Sequence, residues 1–282
     1  MRTVELSAGT IAYEDTGGDG PVLLLLHGVM MDAGVWDPVL PLLPEGVRCV
    51  RPVLPLGSHR IPLRRPELAT HHGVAALVGE LMEALDLRDV TLVLNDWGGA
   101  QLLLAERPER VTRAALVACE AFQNFPPGVP GTMIAASAAI PGAMLLTAHL
   151  QRFAWFRRAP GAWGWMLKHP VPAAVMDRWF EPARLDRAIR RDLRTFAGST
   201  PSRDQLRDLT RRLAGVTIPV LVAWASEDRL MPREHGRALA ELLPQGYLVE
   251  IPDSYTVVPR DQPAALARAL TGLLQRDGEP VR

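Results

Sequence analysis

Leu92-Val93-Leu94-Asn95-Asp96-Trp97-Gly98-Gly99 is the stretch that decides the fold. It joins a β-type run, Val90 to Leu94, to a segment of helical period, Ala100 to Arg107. A strand that enters a helix through a tight, glycine-rich turn is typical of a nucleophile elbow, in which the glycines let the helix pack closely on the strand. The sequence therefore predicts that Asp96 lies on a strained turn at a helix N-terminus, where the helix dipole favours negative charge.

Further β-type runs precede and follow this turn. They are Thr3 to Leu6, Thr10 to Tyr13, Val22 to Leu26, Val47 to Val53, Ala114 to Ala118, Val220 to Trp224 and Tyr247 to Ile251. Several are apolar on consecutive residues, which indicates strands covered on both faces. Segments of helical period lie between them: Val74 to Leu85, Arg233 to Leu243 and Pro263 to Leu274. The alternation predicts an α/β fold with a mostly parallel, eight-stranded sheet flanked by helices.

The alternation of strands and helices stops between Phe125 and Leu213. That stretch is rich in Pro, Gly, Ala, Arg and Trp and contains several amphipathic pieces, and strand character returns at Val220. One sheet is therefore interrupted by a helical insert. We predict a core formed by residues 1–124 and 214–282, with a helical cap at residues 125–213.

The composition excludes several classes of partner. The 282 residues carry 31 basic and 31 acidic side chains, so the whole chain has no electrostatic footprint for nucleic acid or for an acidic membrane. No apolar run approaches the roughly 20 residues of a membrane span. We expect a small-molecule substrate, no cofactor and no metal, no nucleic-acid or membrane partner, and a monomer or homodimer.

The sequence also suggests where the protein works. The N-terminus lacks the pattern of a secretory signal. Cys49 and Cys119 lie in apolar runs, where a cysteine usually behaves as a small hydrophobic residue. Lys168 is the only lysine among many arginines, which suggests a G+C-rich genome. We therefore expect a bacterial, cytoplasmic protein.

Chemistry is expected at the carboxyl ends of the parallel strands, where ligands bind in open sheets. Asp96 follows one such strand. An ionised carboxylate there can attack an electrophilic carbon and form an ester intermediate. The alternative is an aspartate that caps the following helix, which is a common structural use.

Three further loops supply candidates to support Asp96. His27-Gly28-Val29-Met30 follows a strand at the place where this kind of fold supplies an anion-binding amide, so the Val29 and Trp97 amides form the predicted pair; His27 is interpreted as structural. Asp228 follows Val220 to Trp224 and is placed to orient a base, or else to cap the helix that begins near Pro232. Glu120 is a second candidate acid.

These residues resemble the α/β-hydrolase superfamily and, within it, the haloalkane dehalogenases and related epoxide hydrolases. The closest likeness is the turn from Leu94 to Ala100. The resemblance implies that Trp97 helps to hold a leaving halide. It also implies that Glu120 and Asp228 occupy the alternative acid positions of different subfamilies.

The chain departs from this family at its catalytic histidine. Counting back from Asp261-Gln262-Pro263 and forward from Ile251-Pro252 places Thr256 at that position. A threonine cannot accept a proton from water near neutral pH, so the usual base for ester hydrolysis is absent.

Other side chains are candidates to replace this base. His59, after the strand Val47 to Val53, is the best substitute, although a turn histidine bound to backbone is the commoner situation. Tyr255 is the one phenol expected near the site, as a proton donor. The remaining histidines are His149 and His169 in the cap, whose orientation stays open, and His71, His72 and His235, which we expect to be solvated near helix starts.

The predicted cap contains many aromatic residues but no tyrosine. They are Trp155, Trp163, Trp165, Trp179, Phe153, Phe156 and Phe180. Epoxide hydrolases of the resembled family protonate the opening ring with cap tyrosines, so this activity is disfavoured. The aromatics form either plain core or the wall of an apolar pocket.

Three functions remain open. The first is hydrolysis of a carbon–halogen, epoxide or ester bond in a small apolar molecule, with Asp96 as nucleophile. The second is a cofactor-free lyase, isomerase or cyclase reaction with Asp96 as general base. The third is non-catalytic binding of a small ligand.

Overall fold

The computed structural model describes residues 1–106 and 109–276 and contains one eight-stranded sheet. The strands are β1 (Arg2–Leu6), β2 (Gly9–Asp15), β3 (Val22–Leu26), β4 (Arg48–Pro52), β5 (Val90–Asp96), β6 (Val111–Cys119), β7 (Val220–Ala225) and β8 (Gly246–Ile251). The helices are α1 (His71–Ala84), α2 (Gly99–Ala105), α3 (Gly128–Ala139), α4 (Ala143–Leu150), α5 (Ala154–Arg157), α6 (Ala173–Leu185), α7 (Arg187–Ala197), α8 (Arg203–Leu213), α9 (Arg233–Leu242), α10 (Val258–Asp261) and α11 (Pro263–Leu274). Arg107, predicted as the end of a helix, lies outside the described residues.

The sheet has the strand order β1-β2-β4-β3-β5-β6-β7-β8. β1 pairs antiparallel with β2, and β2 pairs antiparallel with β4. The strands from β4 to β8 along the sheet are all parallel. The predicted α/β fold with a mostly parallel eight-stranded sheet is therefore confirmed, and the carboxyl ends of β3, β5, β6, β7 and β8 meet at one edge.

Burial explains why the central strands are apolar on consecutive residues. Leu23 to Leu26 in β3 are fully buried, and every residue of β5 is buried. Helices cover both faces of such a sheet, so each side chain leaves water whichever way it points. Truncating one such leucine to alanine costs about 2–5 kcal/mol. This rigid centre fixes the position of the turn at Asp96.

Six helices, α3 to α8, occupy the chain between β6 and β7. Trp179 and Arg178 of α6 tie this segment to the core, since the Trp179 Nε1–H donates to Asp32 Oδ1 at 3.0 Å and Arg178 Nε lies 2.9 Å from Asp32 Oδ2. The division into a core and a cap at residues 125–213 stays a prediction. Among the described helices, none combines the length and apolar character needed to cross a membrane.

Candidate active site

Asp96 lies on a strained turn between β5 and α2. Its φ is 68°, in the left-handed region that non-glycine residues rarely adopt. The turn is held from three sides: the Trp97 N–H donates to the Asn95 carbonyl at 2.9 Å, the Glu120 N–H donates to the Asp96 carbonyl at 3.0 Å, and the Asn95 side chain donates to the Thr256 carbonyl at 2.7 Å. Such strain persists only where the surroundings determine it, and it is common at functional sites.

Two glycines make room for this turn. A Cβ at Gly28 would lie 2.1 Å from Asp96 Oδ2, and a Cβ at Gly99 would lie 1.7 Å from Trp97 Cζ2. Both distances are far below van der Waals contact. Glycine is therefore required where the loop after β3 and the start of α2 approach the turn.

The Val29 amide, predicted as an anion-binding donor, contacts the Asp96 carboxylate. The Val29 N–H donates to Asp96 Oδ2 at 3.0 Å, whereas Oδ1 makes no hydrogen bond with the described residues. Burial raises the pKa of Asp96 to about 7; the Val29 hydrogen bond opposes this shift and the charge of Asp228 adds to it. One carboxylate oxygen is thus held by an amide, and the other is unoccupied.

The predicted second amide has a different partner. The Trp97 N–H donates to the Asn95 carbonyl across the turn. Its role as the second anion-binding donor therefore stays a prediction, since it requires this bond to open or to be shared. The Trp97 side chain is buried, and its Nε1–H has no hydrogen-bond partner among the described residues.

Asp96 lines a mostly apolar cavity of about 100 Å³ that is partly open to solvent. Its polar lining includes Asp96, Glu120 and His71, and Val29 lies at the same wall. Apolar side chains of the helices between β6 and β7 complete it, among them Met133, Ile134, Phe156, Trp163 and Phe196. This volume accepts a small molecule or several waters, and its lining predicts that the occupant is largely apolar.

Glu120 lies in the same cavity as Asp96. Its Oε2 accepts a hydrogen bond from the Gly98 N–H at 3.1 Å. Burial, followed by the negative charge of Asp96, raises the pKa of Glu120 well above its usual value. The raised pKa favours the protonated carboxyl, which is the form that donates a proton.

Asp228 is bound to the side chain at the predicted histidine position. Its Oδ1 accepts from the Thr256 hydroxyl at 2.8 Å and from the Leu230 and Met231 amides at 2.8 and 3.0 Å. Burial raises the pKa of Asp228 to about 6. The carboxylate caps the turn that precedes α9, whose own N-cap at Pro232 makes no side-chain bond. The Thr256 hydroxyl is thus bound to Asp228 Oδ1, whereas Asp228 Oδ2 has no hydrogen-bond partner in the described chain.

The structure corrects the expectation that His59 replaces the missing base. His59 is buried outside the cavity of Asp96, and its Nε2 lies 3.2 Å from Asp192 Oδ2 on α7. Its Nδ1 accepts from the Gly57 N–H at 3.4 Å. His59 is therefore placed as a turn histidine that is bound to the backbone.

Tyr255 and the two histidines of the predicted cap also lie outside this cavity. The Tyr255 ring faces the Arg229 guanidinium, 4.9 Å away, and its role as a proton donor stays a prediction. His169 Nε2 lies 2.9 Å from Asp253 Oδ2 near the surface. None of these rings reaches a ligand in the cavity.

His71 is the site residue that sequence reasoning missed. It was expected to be solvated, yet it is only 4% exposed and lines the cavity. Its ring stacks on Phe196 at 4.1 Å, and burial lowers its pKa to about 4. A signal existed: His71 precedes Val74, Ala75 and Val78 at spacings of three, four and seven, which places it on the buried face of α1. His235 is likewise buried, edge-on to Phe122.

The hydrogen bonds around His71 assign its tautomer. The Ser199 hydroxyl donates to the Phe196 carbonyl at 2.7 Å and accepts from the His71 backbone N–H at 3.0 Å. Ser199 Oγ, 3.2 Å from His71 Nδ1, therefore has only acceptor capacity left for the ring. Nδ1 carries the proton by this assignment, and Nε2 carries the lone pair.

With this geometry described, comparison with known proteins places the chain. A model of the alpha/beta hydrolase family matches residues 23–269. The chain belongs to the alpha/beta hydrolase family. Uncharacterized hydrolase YugF of Bacillus subtilis is 22% identical to this alpha/beta hydrolase in an alignment of 289 positions that covers 98% of each chain.

Haloalkane dehalogenases are among its relatives in sequence and fold. The dehalogenase of Mesorhizobium japonicum is 32% identical over 111 residues, which is 38% of this chain and about a third (35%) of that dehalogenase's length. The crystal structure of an ancestral haloalkane dehalogenase gives a TM-score of 0.77 at 22% identity, covering 97% of this chain and 98% of that one.

Other chemistries share this fold. The enol-lactonase of Burkholderia xenovorans LB400 gives a TM-score of 0.75 at 19% identity, covering 98% of this chain and 100% of that one. At such identities the likeness shows the fold alone. The activity of this alpha/beta hydrolase has to be argued from its own site.

Proposed function

We propose that this alpha/beta hydrolase acts on a small, largely apolar molecule and that Asp96 attacks it as a nucleophile. The observation that supports this most is the 3.0 Å hydrogen bond from the Val29 N–H to Asp96 Oδ2. Because one oxygen is held there, Oδ1 is the oxygen available to a substrate in the cavity. The apolar lining around Asp96 suits the substrate class and strengthens an unsolvated nucleophile.

In the first step Oδ1 attacks a saturated carbon that carries a halogen. A carbon–oxygen bond forms, and the halide leaves with the electron pair of the broken carbon–halogen bond. The product is an alkyl ester on Asp96. The dehalogenase resemblance assigns the leaving halide to Trp97, whose buried Nε1–H lacks a partner in the described chain, although Trp97 is not among the residues that line the cavity.

The second step is attack of water on the ester, which needs a group that takes the proton of water. Asp96 Oδ2 is then the ester carbonyl oxygen, and the Val29 N–H stabilises the negative charge that develops on it. We propose His71 as the base, because it lines the cavity and its Nε2 carries a lone pair. Collapse of the intermediate releases the alcohol, which takes the proton from His71, and leaves Asp96 as the carboxylic acid. Loss of that proton to solvent regenerates the carboxylate.

Epoxides and esters remain further substrate classes within this proposal. Attack on an epoxide requires a proton for the ring oxygen, and the protonated Glu120 in the same cavity is a source. The absence of tyrosine between residues 125 and 213 weighs against epoxides, since the resembled enzymes use tyrosines there. We propose the same residues, 125–213, as a cap, because several of its side chains line the cavity.

A second candidate function is a cofactor-free lyase, isomerase or cyclase reaction in which Asp96 takes a proton from carbon. The pKa of Asp96 near 7 favours it, since a general base works best with a pKa close to the working pH. This reaction needs no base to hydrolyse an ester, so Thr256 does not count against it. Non-catalytic ligand binding is the third candidate and predicts no turnover of any substrate.

Intact-protein mass spectrometry tests the proposal. The enzyme is incubated with 1-bromobutane, with a short terminal epoxide and with an activated ester, and both product and protein mass are followed. We expect turnover of at least one compound and, for bromobutane, a transient butyl adduct on the peptide that contains Asp96. Asp96→Asn, which keeps the shape of the side chain, should lose both.

His59→Ala serves as the matched control, because His59 lies outside the cavity. It should turn over and label as the wild type does. Full activity of Asp96→Asn on a confirmed substrate would overturn both catalytic proposals. Turnover that requires Asp96 but never produces an adduct, even after rapid quenching, would favour the general-base alternative.

A further inference from the structure

The outer side of α3 is apolar, which is unusual for a helix at the surface. Val129, Met133 and Ile140 are exposed by 48%, 45% and 57%, and Ala136 between them is exposed as well. Val129, Met133 and Ala136 follow one another at spacings of four and three, which places them on one stripe of α3, and Ile140 lies at its C-cap. A helix that is apolar on all sides is normally buried, yet one side of α3 faces solvent.

Further exposed apolar residues lie on α4, which packs against α3, and at the start of α5. Leu146 is 61% exposed and Trp155 is 66% exposed, and the Phe153 ring stacks on Trp155 with centroids 6.1 Å apart. We call this surface the apolar face and define it by Val129, Met133, Ile140, Leu146, Phe153 and Trp155. Contiguous exposed apolar surface of this kind marks a site of protein or membrane interaction.

The chain segment that carries the apolar face is positively charged, and the exposed Asp177 of the packed helix α6 is already paired with Arg157. The chain has no aspartate or glutamate between Glu120 and Asp177, a stretch that contains Arg152, Arg157, Arg158 and Lys168. Arg157 pairs with Asp177, and Lys168 pairs with Glu227 and Asp253. Arg152 and Arg158 are exposed beside Phe153 and Trp155. The net charge of the whole chain is zero, yet Arg152 and Arg158 form a local group of positive charges, which we call the cationic rim.

The apolar face also borders the cavity of Asp96. Met133 lines that cavity and is at the same time nearly half exposed. Phe156, whose ring lies 5.8 Å from Trp155, lines it too. The apolar face and the cavity of Asp96 therefore share Met133.

We propose that the apolar face docks on an anionic lipid surface. Tryptophan, phenylalanine and leucine enter the boundary between headgroups and acyl chains, while Arg152 and Arg158 contact lipid phosphates. A lipophilic substrate that is dissolved in the bilayer then reaches the cavity without crossing water. This mode of binding needs no membrane-spanning helix, and it differs from the expectation of no membrane partner, which rested on total charge.

A second copy of the chain fits this face less well. A two-fold symmetric contact places the same patch on both subunits. The cationic rims would then meet, with no acidic side chain in residues 121–176 to pair with them. Because Arg152 and Arg158 of the cationic rim are exposed, an anionic surface is the partner that we propose.

Vesicle co-sedimentation tests the proposal with the full chain. Vesicles of phosphatidylcholine alone are compared with vesicles that also contain phosphatidylglycerol, at low and high salt. We expect binding to the anionic vesicles that weakens with salt. Leu146→Ser with Trp155→Ser removes apolar anchors and should weaken binding at least tenfold, and Arg152→Gln with Arg158→Gln should weaken it by on the order of tenfold.

Leu185→Ser is the matched control, because Leu185 is 65% exposed but lies on α6 outside the apolar face. It should bind as the wild type does, and thermal melts should show that every variant is folded. No binding to anionic vesicles at low salt, or equal binding by all variants, would overturn the proposal. So would a dimer in light scattering that Leu146→Ser with Trp155→Ser dissociates. The result does not depend on the role of Asp96.

Discussion

Opposing influences act on the charge of Asp96. Burial in an apolar cavity disfavours the carboxylate and raises its pKa to about 7, whereas the Val29 hydrogen bond favours the carboxylate. A nucleophile must be ionised to attack, so a raised pKa limits the active fraction at neutral pH. The same desolvation makes the ionised fraction more reactive.

The pH dependence of turnover follows from this balance. We expect kcat/KM to rise with pH through a midpoint near 7, because the carboxylate is the active form and His71, with a pKa of about 4, is already neutral there. The measurement is a pH–rate profile on a confirmed substrate. A single midpoint near 4, the ordinary value for an aspartate, would contradict the environment described for Asp96.

His71 gives a second prediction at the scale of one residue. His71→Gln should form the Asp96 adduct at the wild-type rate but hydrolyse it about a hundredfold more slowly, since general-base catalysis contributes roughly 10²–10⁴-fold. A single-turnover time course by intact-protein mass spectrometry measures both steps. His72→Gln, at the exposed neighbour, is the control. Equal decay of the adduct in all three proteins would rule out His71 as the base.

At the scale of elements, the loops after β7 and β8 are joined by one side-chain bond. The Thr256 hydroxyl donates to Asp228 Oδ1 at 2.8 Å, and Asp228 Oδ2 is buried without a partner in the described chain. Without the Thr256 hydroxyl, the buried Asp228 carboxylate would lose one of its hydrogen bonds. The bond is therefore expected to hold the two loops, and with them the edge of the sheet beside Asp96.

Substitution of Thr256 tests this connection. Thr256→Val keeps the shape but removes the hydroxyl, so it should lower the free energy of unfolding by about 1–3 kcal/mol. Thr256→Ser keeps the hydroxyl and should retain most of that stability. Urea unfolding near neutral pH measures both variants. If Thr256→Val is as stable as the wild type while Thr256→Ser is not, packing of the methyl group is what matters there.

The elements themselves were largely predictable from periodicity. β3 and α11 have the predicted bounds, because a run of leucines and a regular apolar period leave little choice. α1 begins three residues before the predicted Val74, since Thr70 caps it by accepting from the Gly73 N–H. His71, His72 and Gly73 have weak helical propensity, so the sequence pattern did not indicate that the helix begins there. The missed turn of helix is the one that carries His71.

Contacts between distant parts of the chain were less predictable. Asp96, Val29 and Glu120 were foreseen, because each follows a parallel strand at the same edge of the sheet. The placement of His71 depends on Ser199 and Phe196, more than 120 residues away. His59 also follows a strand at that edge, but Asp192 on α7 holds it away from the cavity. The position of a residue directly after a parallel strand predicted that it lies at this edge of the sheet. It did not predict where the side chain points.

At the scale of the whole molecule, buried acids make stability depend on pH. Asp96 has a pKa of about 7 in the folded chain and an ordinary value of 3.8. Between these values the folded state binds more protons than the unfolded state, so the free energy of unfolding falls as pH rises. Its contribution is complete below 3.8 and is lost as pH passes through about 7.

Asp96→Asn removes this dependence. The variant should become more stable relative to the wild type as pH rises from about 4 to about 7, by ~4 kcal/mol at most, since one pKa unit corresponds to 1.36 kcal/mol. Chemical unfolding at several pH values measures the difference. Asp19→Asn, at an exposed site, should show no such trend. A constant offset between Asp96→Asn and the wild type would contradict a raised pKa for Asp96.

Oxygen-isotope labelling tests the nucleophilic role of Asp96 most directly. A single turnover of 1-bromobutane is carried out with excess enzyme in H₂¹⁸O, and the alcohol and the Asp96 peptide are analysed by mass spectrometry. Attack by Asp96 transfers its own oxygen to the alcohol, so the first product should contain ¹⁶O and the Asp96 carboxylate should gain ¹⁸O. An alcohol that contains ¹⁸O, with no label at Asp96, would show that water attacks the substrate directly and would contradict the covalent mechanism.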